Sequence, residues 1–445
     1  MSDQKFYDSK TEMMDRSELK ALQLGRLRWQ VERCYNLSPF YRERLNQAGF
    51  KPEQIRTLDD IRRIPVVTKQ ELREEQKAHP PFGRYTVASA AQFAEIHPST
   101  GTTGIPVNTI WSEQDVKNIT DVTARVMWSA GVRPNDIIQN GFSYGLWVAG
   151  MSTHYAAQKL GCFILPIGAS MTERHIEYLT QIGSTVLLAT PSFALYIAER
   201  LRQGGYSTQD LKLRKGLFGG EGGTEAPSTR KRMEDGLGIK AYDFFGLAEI
   251  GPTFACECEE QEGIHWAEDH YLVEVIDPGT MEPCAPGETG ILVITHLTRE
   301  ATPMLRYWTN DYTTFTEERC RCGRTHGRSP GGILGRADDM VIYKGAKFYP
   351  VQVEQVIRKY PELTNEFKII LDTDQESGID RCTIIVEYTG DPGRSGQLGD
   401  RLRKDFKESL NVTPVVDICT EGALERTTFK AKRLEDRRRL LGMPG

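Results

Sequence analysis

Long hydrophobic runs are missing from this sequence. No stretch reaches the roughly eighteen consecutive apolar residues that a membrane-spanning helix requires. The opening residues MSDQKFYDSKTEMMDR are polar and mixed in charge, unlike a secretory signal. We therefore expect a cytoplasmic protein with no membrane partner. In that compartment the nine cysteines are expected to be thiols or metal ligands rather than disulfides.

An excess of basic residues is missing as well. The 61 Asp and Glu residues outnumber the 56 Lys and Arg residues, which leaves a formal net charge of -5. A nucleic-acid partner is not expected, because it would need a broad basic face. The basic runs Lys432-Arg433 and Arg437-Arg438-Arg439 are interpreted as a solvated helix face.

The middle of the chain alternates strand-like and helix-like segments. Short apolar runs at 162–167 and 185–191 are strand-like, and residues 171–183 between them have helical spacing with Thr172 as the N-cap. This order predicts βαβ units, a largely parallel sheet and an α/β fold. The first eighty residues look helical, with a buried stripe that runs from Leu19 through Trp29 to Cys34.

The second half of the chain has two other patterns. Residues 264–315 predict a small antiparallel β unit whose strands are HYLVEVID, GILVITHL and TTFTEE. The chain after Gly335 reads as a compact α+β domain of about a hundred residues, with helices around 396–410 and 432–441. A boundary near Arg336–Asp338 divides the chain into domains 1–335 and 336–445.

The segment HPSTGTTGIPV (97–107) is a candidate phosphate cradle. Gly101 and Gly104 allow backbone conformations in which successive N–H groups point at one anion. It is not the Walker pattern, because no GK[ST] follows and no strand clearly precedes it. An ordinary polar turn is the alternative interpretation. The hydroxyl donors of the cradle are Ser99, Thr100, Thr102 and Thr103.

Two close cysteine pairs, Cys256/Cys258 and Cys320/Cys322, need a separate explanation. Three thiolates and the imidazole of His265 suit tetrahedral zinc with no open coordination position. Free thiols in loops are the alternative. His326 is a further candidate ligand and is expected on the surface.

Five motifs in sequence resemble the signatures of the adenylate-forming superfamily, which includes acyl-CoA synthetases. The closer resemblance is to the phenylacetate-CoA ligase family, and it covers nearly the whole chain through segments 22–50, 142–162 and 263–278. The superfamily motifs are the loop at 97–107, YDFFGLAEIGP (242–252), RYWTNDYT (306–313), GRADDMVIYKGAKFYPVQVE (335–354) and RTTFKAKRLED (426–436).

The resemblance implies a large N-terminal adenylating domain of several subdomains and a small α+β C-terminal lid. It implies that ATP and an aryl or arylacetic acid form an acyl-adenylate, from which the CoA thiol displaces AMP. Mg²⁺ would assist the first step, the zinc would be structural, and a homodimer is expected. Alternatives are adenylation with another acceptor, such as nucleotidyl transfer to a deazaflavin cofactor, and a catalytically silent ligand-binding homologue.

Residue roles also follow from the resemblance. Glu249 ligates Mg²⁺, Lys430 bridges carboxylate and α-phosphate oxygens, Asp311 binds the ribose and Asp338 is the hinge. Without the resemblance, the same residues would be interpreted as a turn glutamate, a surface lysine and turn aspartates. The remaining ATP contacts fall to Gly220, Glu221, Asp243, Phe244, Phe245, Gly246 and Arg336, with Phe245 stacked on adenine, and the acyl pocket to Phe142, Tyr144, Gly145, Trp147 and Gly219.

The chain departs from the family pattern at four places. Ile105 stands where the phosphate loop usually has lysine, and Ala248 where a hydroxyl precedes the magnesium ligand. Asn310 replaces the glycine before Asp311, and Phe429 the glycine before Lys430. The family's Cys…Gly-x-His…Cys-x-Cys-Gly spacing favours Cys258 over Cys256 as the zinc ligand.

Overall fold

The computed structural model describes residues 4–99, 106–344, 346–373, 379–390, 395–426 and 433–438. No helix in these ranges is both long enough and apolar enough to cross a lipid bilayer. The α-helices are α1 Ser9–Glu12, α2 Arg16–Leu37, α3 Pro39–Gln47, α4 Lys69–Ala78, α5 Glu113–Ser129, α6 Val148–Leu160, α7 Thr172–Gln181, α8 Pro191–Gln203, α9 Pro227–Leu237, α10 Pro350–Ile357 and α11 Gly396–Leu410.

The strands form three larger sheets and two hairpins. Short 3-10 turns lie at Pro52–Gln54, Leu58–Arg63, Ala90–Gln92, Thr208–Asp210 and Ala337–Asp339. The strands are β1 Val67–Thr68, β2 Glu95–Pro98, β3 Asn108–Trp111, β4 Ile137–Asn140, β5 Phe163–Leu165, β6 Val186–Ala189, β7 Lys215–Phe218, β8 Lys240–Leu247, β9 Gly251–Glu257, β10 Ile264–Trp266, β11 Tyr271–Ile276, β12 Gly290–His296, β13 Tyr307–Thr313, β14 Arg328–Ser329, β15 Ile333–Arg336, β16 Val341–Tyr343, β17 Ala346–Phe348, β18 Leu363–Thr373, β19 Asp380–Tyr388, β20 Val415–Thr420 and β21 Leu434–Asp436.

The central sheet has the order β14-β10-β9-β8-β7-β6-β4-β5 and is parallel from β8 to β5. Both of its faces are covered, so its strands are apolar at successive positions. In β6, Val186 and Leu188 belong to the core beneath α5 and α6, whereas Leu187 and Ala189 belong to the core beneath α7, α8 and α9. The predicted α/β fold is confirmed. The two predicted strands, β5 and β6, are both neighbours of β4 rather than of each other.

Two details of the helices were predicted wrongly. Thr172 is the first residue of α7, and Met171 occupies the N-cap position. In α2, Trp29 is 44% exposed, and Gln23 and Gln30 take inward positions at 2% and 0% exposure. Gln23 fits there because its side-chain amide donates to the backbone carbonyl of Glu268, at 2.8 Å.

A second sheet has the order β1-β13-β12-β11, with β15 paired to β13. The predicted antiparallel unit exists, but its third strand is β13, and TTFTEE beyond Thr313 contributes one isolated bridge at Thr316. The error has a physical reason. The inward residues of β13 include Thr309 and Asp311, which are buried and polar, so apolar alternation does not mark the strand.

The C-terminal domain is built around the sheet β20-β19-β18-β21 and helices α10 and α11. Its core cluster lies between Val341 and Val412, with Leu434 packed against it. The helix predicted at 432–441 is wrong where the structure describes it, because Leu434–Asp436 form β21 beside β18. Arg433 is not solvated either, since its guanidinium pairs with Glu366 and lies 4.8 Å from the centre of the Phe367 ring.

A buried ion pair joins α5 to the turn before β11. Arg125 Nη2 lies 2.6 Å from Asp269 Oδ1, and Nη1 lies 3.2 Å from Oδ2, so the contact is bidentate. The side chains are 9% and 6% exposed. Burial alone would raise the pKa of Asp269, but the charges of Arg125 and His270 hold it well below its ordinary value.

We predict that Arg125→Met lowers the free energy of unfolding by about 3–5 kcal/mol, because the Asp269 charge then stays buried without its cation. Urea unfolding at neutral pH measures the change. Asp59→Asn is the control, because its ion pair with Arg62 is exposed and worth about 1 kcal/mol or less. Since folding depresses the pKa of Asp269, the difference should shrink as the pH falls below its unfolded value of about 3.9. Equal effects of the two substitutions would contradict the argument.

Candidate active site

The turn after β8 places Glu249. Strands β8 and β9 pair antiparallel there, and the pairing has an irregularity between Phe245 and Leu247. A Cβ atom on Gly246 would lie 1.9 Å from the carbonyl oxygen of Pro252, so glycine is needed where the two strands approach this closely. The ring of His296 holds the carbonyl of the next residue, Ile250, at 2.7 Å.

The carboxylate of Glu249 is buried and faces a cation from a distant segment. Its side chain is 4% exposed, and Lys69 Nζ lies 2.8 Å from Oε1. Burial first, and then the charge of Glu249, raise the pKa of Tyr307 well above its ordinary value. A carboxylate oxygen is the ligand type that Mg²⁺ prefers, and an ion bound at Glu249 would compete with the Lys69 ammonium group for it. Lys69 was not identified from the sequence, where no motif links α4 to this turn.

Asp311 and Asp338 are joined through Arg336. Arg336 Nη1 lies 3.0 Å from Asp311 Oδ1, and its Nε and Nη2 lie 3.0 and 3.1 Å from the carboxylate of Asp338. Burial opposes the charge of Arg336, but the two aspartates raise its pKa above the ordinary value. The residues predicted for ribose and hinge are therefore neighbours in space.

Asn310 has a conformational reason to replace glycine. Its φ is +66°, in the left-handed region where Asn is the best tolerated residue after Gly. The indole N–H of Trp308 donates to its side-chain oxygen at 2.8 Å. This departure from the family pattern therefore leaves the backbone before Asp311 in a conformation that a glycine would also adopt.

The predicted acyl-pocket residues meet at the ends of β4, β7 and β8. The ring of Phe142 lies 5.4 Å from that of Trp147 and 5.3 Å from that of Phe244. A Cβ on Gly219 would lie 2.3 Å from the carbonyl oxygen of Phe244, and one on Gly220 would lie 3.2 Å from the Trp147 ring. Aromatic rings and bare backbone therefore form one wall.

The other two predicted pocket residues differ in environment. The hydroxyl of Tyr144 accepts from the side-chain amide of Asn140 at 2.9 Å and lies 3.2 Å from His154 Nδ1. Burial raises the pKa of Tyr144 to about 12. Gly145 is exposed, and a Cβ there would meet nothing within 4 Å.

Asp243, a predicted ATP contact, forms a close carboxyl pair with Glu225; Asp243 is buried and Glu225 is half-buried. Burial, followed by the charge of Glu225, raises the pKa of Asp243 well above its ordinary value. Burial also raises the pKa of Glu225 to about 7. One carboxyl of this pair can therefore hold a proton at neutral pH and donate a hydrogen bond. Glu225 is a second residue that motif reasoning missed.

Two more predicted ATP contacts have defined surroundings. Glu221 Oε1 accepts from the backbone N–H of Ser192 at the start of α8, at 2.8 Å. Phe245 is half-buried, and its ring meets those of Phe254 and Trp266 edge-on at 5.7 and 5.9 Å. Its stacking on adenine stays a prediction.

The phosphate loop is described at its base. Strands β2 and β3 form an antiparallel hairpin around it, so a strand does precede the loop, contrary to expectation. Ser99 is buried and its hydroxyl accepts from the backbone N–H of Val107 at 3.0 Å, while Gln76 of α4 donates to the carbonyl of Pro106 at 2.9 Å. The predicted residues Thr100, Gly101, Thr102, Thr103, Gly104 and Lys430, with Ile105 and Phe429, lie outside the described residues.

Cys258, His265, Cys320 and Cys322 form a buried cluster whose ligand atoms all lie within 4.8 Å of one another. Cys258 Sγ lies 3.8 Å from Cys320 Sγ, and Cys322 Sγ lies 3.7 Å from His265 Nε2. The other ring nitrogen of His265 is 3.4 Å from the carbonyl of His326, which orients Nε2 toward the thiols. Four N and S donors at this spacing can hold one metal ion.

Cys256 and His326 lie outside that cluster. Cys256 packs in the core beneath α5 and α6 instead. His326 is 5% exposed, so the predicted surface position is wrong. Its ring bridges the carbonyls of Trp266, at 3.0 Å, and Thr11, at 3.1 Å. A histidine can take a buried position when both ring nitrogens have partners.

Comparisons with known proteins agree with this geometry. The family described as AMP-binding enzyme matches residues 31–308, and that described as AMP-binding enzyme C-terminal domain matches residues 345–438. The phenylacetate-coenzyme A ligase of Thermus thermophilus is 38% identical, and the match covers 97% of this chain and 100% of that protein. The phenylacetate-coenzyme A ligase of Escherichia coli is 35% identical over 96% of each protein. This chain belongs to the phenylacetate-CoA ligase family.

Solved structures of a 2-hydroxyisobutyryl-CoA ligase match this chain to different degrees. Its postadenylation state with 2-HIB-AMP matches at TM-score 0.92 and 30% identity, over 98% of this chain and 93% of that one. Its thioesterification state, with 2-HIB-AMP and CoA, matches at 0.75 over 99% and 94%. Coverage is nearly the same in the two comparisons, so the present structure is more similar in overall arrangement to the postadenylation-state structure than to the thioesterification-state structure.

We predict that Gly219→Ala lowers the free energy of unfolding by about 1–3 kcal/mol, because the added methyl group collides with the Phe244 backbone. Gly25→Ala is the matched control. It lies within α2 with nothing inside 4 Å of an added Cβ, and should raise stability by about 0.5–1 kcal/mol. Denaturant unfolding measures both, and the same sign for the two variants would count against the steric argument.

Proposed function

We propose that this chain is an AMP-forming aryl- or arylacetyl-CoA ligase that uses ATP, an aromatic carboxylic acid and CoA. The observation that carries the proposal is the wall of Phe142, Trp147 and Phe244 against Gly219 and Gly220. It occurs in a chain that is similar over nearly its whole length to proteins named phenylacetate-coenzyme A ligases. Phe142 and Phe244 are buried, so in this proposal an aryl group would occupy a flat slot along the wall beside half-buried Trp147 and the bare backbone.

The adenylation step follows from the charges around that slot. Glu249 would hold Mg²⁺, which neutralises phosphate charge, and Lys69 lies at the same carboxylate. Asp311 would accept hydrogen bonds from ribose hydroxyls while Arg336 keeps its carboxylate in place. The carboxyl pair Glu225 and Asp243 offers both a donor and an acceptor near the adenine. Lys430 would stabilise the charge that develops at the α-phosphate.

The division at 335/336 belongs to the same proposal. Arg336 ends β15 of the N-terminal part, and Asp338 lies in the short turn that leads to β16. The contact between the two side chains ties Asp338 to the last residue of β15, which supports a hinge at Asp338. The C-terminal domain would act as a lid that carries Lys430 in and out of the site. The homodimer and the cytoplasmic location stay predictions.

Assays of the purified protein test the function. Protein with ATP, CoA and phenylacetate, indoleacetate or benzoate should release AMP and pyrophosphate and form the thioester. A second candidate acid is 2-hydroxyisobutyrate, favoured by the fold match to a ligase of that acid. AMP release with that acid alone would replace the aromatic assignment. Nucleotide binding without AMP release from any acid would favour the catalytically silent homologue, and pyrophosphate release without CoA consumption would favour another acceptor.

We predict that Lys430→Ala reduces adenylate formation by about 10²–10³-fold, because one electrostatic contact to the transition state is removed. Thioester formation from supplied phenylacetyl-adenylate should be spared. Pyrophosphate release and thioester formation are measured separately. Lys432→Ala is the control, since this neighbouring lysine would be the catalytic one if the motif alignment were shifted. Equal loss of both steps in Lys430→Ala would refute the assigned role.

We also propose that the Cys258, His265, Cys320 and Cys322 cluster holds a structural zinc ion. All four ligands are buried and no fifth donor is required, so the ion would have no open position for chemistry.

Metal analysis of the purified protein is expected to find about one zinc ion per chain. Cys258→Ser and Cys320→Ser should lose the ion and lower the melting temperature, since bound metal stabilises the folded state. Cys256→Ala is the matched control and should keep the ion, because Cys256 packs in a different core. Full zinc content in Cys258→Ser would rule the cluster out as the site.

A further inference from the structure

Arg232 of α9 reaches across to the end of α10 in the C-terminal domain. Its Nε donates to the carbonyl of Arg358 at 3.1 Å, and Nη1 donates to the carbonyl of Leu363 at 3.1 Å. Nη2 donates to the carbonyl of Tyr360, and Nη1 also reaches Asn365 Oδ1 at 3.2 Å. Nη1 lies 3.5 Å from the carbonyl of Thr364 as well, so this one N-terminal guanidinium contacts five acceptors of the C-terminal domain.

These acceptors are neutral oxygens, and that affects how firmly the contact holds. The last carbonyls of a helix carry partial negative charge, which makes them natural partners for a cation. Burial, followed by the charge of Arg358, lowers the pKa of Arg232 to about 10. Burying the Arg232 guanidinium therefore costs hydration free energy, and the hydrogen bonds to the carbonyls offset that cost. Water can replace the carbonyls when the domains separate, so the contact is strong in place and still reversible.

A second contact lies one helix away, on α8. Glu199 is 8% exposed, and Arg426 Nη2 lies 3.3 Å from its Oε1. Arg426 Nη1 also binds Glu387 of β19 at 2.6 Å, so the guanidinium connects the two domains. Arg426 is the last described residue before Lys430 in the chain.

Asn365 connects the two contacts. Its side-chain oxygen receives hydrogen bonds from Arg232 and Arg358, and its amide donates to the carbonyl of Leu195 in α8 at 3.5 Å. Ser228 of α9 adds a hydrogen bond to the carbonyl of Gln355 at 3.2 Å. Helices α8 and α9 therefore present one polar surface to the start of β18 and the end of α10.

The hydrophobic cores of the two domains stay apart at this surface. Within the described residues, the hydrophobic cluster around α8 and α9 and the hydrophobic cluster of the C-terminal domain share no residue. A polar interface is typical of domains that move relative to one another. An apolar interface would instead oppose opening, because separating the domains would expose apolar surface to water.

We propose that Arg232 and Glu199 are positioning residues that latch the C-terminal domain in the arrangement used for adenylation and release it for the thioester step. The inference rests on the proposed function. The present arrangement matches the postadenylation state of a related ligase better than its thioesterification state. The latch acts on the domain as a whole and makes no contact with substrate.

The test measures the two half-reactions separately in three proteins: the wild type, Arg232→Ala and Glu199→Gln. Pyrophosphate release without CoA reports adenylation, and thioester formation from supplied phenylacetyl-adenylate and CoA reports the second step. Losing the latch shifts the domain population away from the adenylation arrangement. Adenylation is expected to fall at least about tenfold in Arg232→Ala and less in Glu199→Gln, with the second step unchanged or faster. A merely structural role would slow both steps together.

Lys231→Ala is the matched control, because Lys231 is the adjacent cation on α9, is exposed and pairs with Asp235 of the same helix. It should match the wild type in both steps. Small-angle X-ray scattering with bound phenylacetyl-adenylate gives a second readout. The Arg232→Ala particle should be more extended than the wild type, and identical profiles would overturn the latch.

The two proposals fail in different ways. If wild type forms no adenylate from any acid, the proposed function falls, and scattering from the two proteins without ligand still decides whether Arg232 holds the domain. If wild type is active and Arg232→Ala loses both steps equally, or neither, the latch is wrong and the function stands. Glu199→Gln keeps side-chain volume, so it decides the matter if Arg232→Ala does not fold.

Discussion

A buried charge needs a partner, and this requirement organises the candidate site. Glu249 and Asp311 are almost fully buried, and each faces a cation from another segment, Lys69 or Arg336. A buried carboxylate without such a partner would lose its hydration with nothing to replace it. The contacts with Lys69 and Arg336 hold the two carboxylates in position. In the proposed reaction, a magnesium ion or a ribose would meet acceptors that are already placed, which would limit the reorganisation that binding requires.

The same requirement connects the metal cluster to the N-terminal segment. Arg324 lies next to the cluster residue Cys322 and pairs with the buried carboxylate of Glu12 in α1 at 2.6 Å. The following residues, Thr325 and His326, bind the backbone of the segment around Thr11. The loop that supplies two cluster ligands therefore also holds the start of the chain. An ion bound there would stiffen both, because ligands on one short loop cannot move independently.

Much of this could be predicted from the sequence, because motifs and apolar runs are local signals. The α/β fold, the small C-terminal domain and the grouping of Cys258, His265, Cys320 and Cys322 were found that way, whereas the acyl pocket stays a prediction. What was missed depends on contacts between distant segments. Lys69 and Arg232 lie in helices without a motif, and only the fold brings them to Glu249 or to the end of α10. Strand β13 and His326 were misjudged because polar residues were assumed to face water. Residues 434–436 pair as a strand because Leu434 fills the core and neighbouring charges find partners in β18.

A two-step reaction in one site also constrains how the domains may touch. In the proposed reaction, the domain that would deliver Lys430 for adenylation has to leave before a thiol can approach, so its contacts should favour one position without trapping it. Carbonyls at a helix end satisfy this condition better than a carboxylate or an apolar patch would. They hold a guanidinium through several hydrogen bonds, yet their charge is partial and water substitutes for them readily. Arg232 meets five neutral acceptors, of which the Arg358 carbonyl lies at the end of α10, and the carboxylate of Glu199 shares Arg426 with Glu387 of the C-terminal domain. When the domains part, Arg426 keeps Glu387 and is not left as a bare charge, which lowers the energy needed to open the interface.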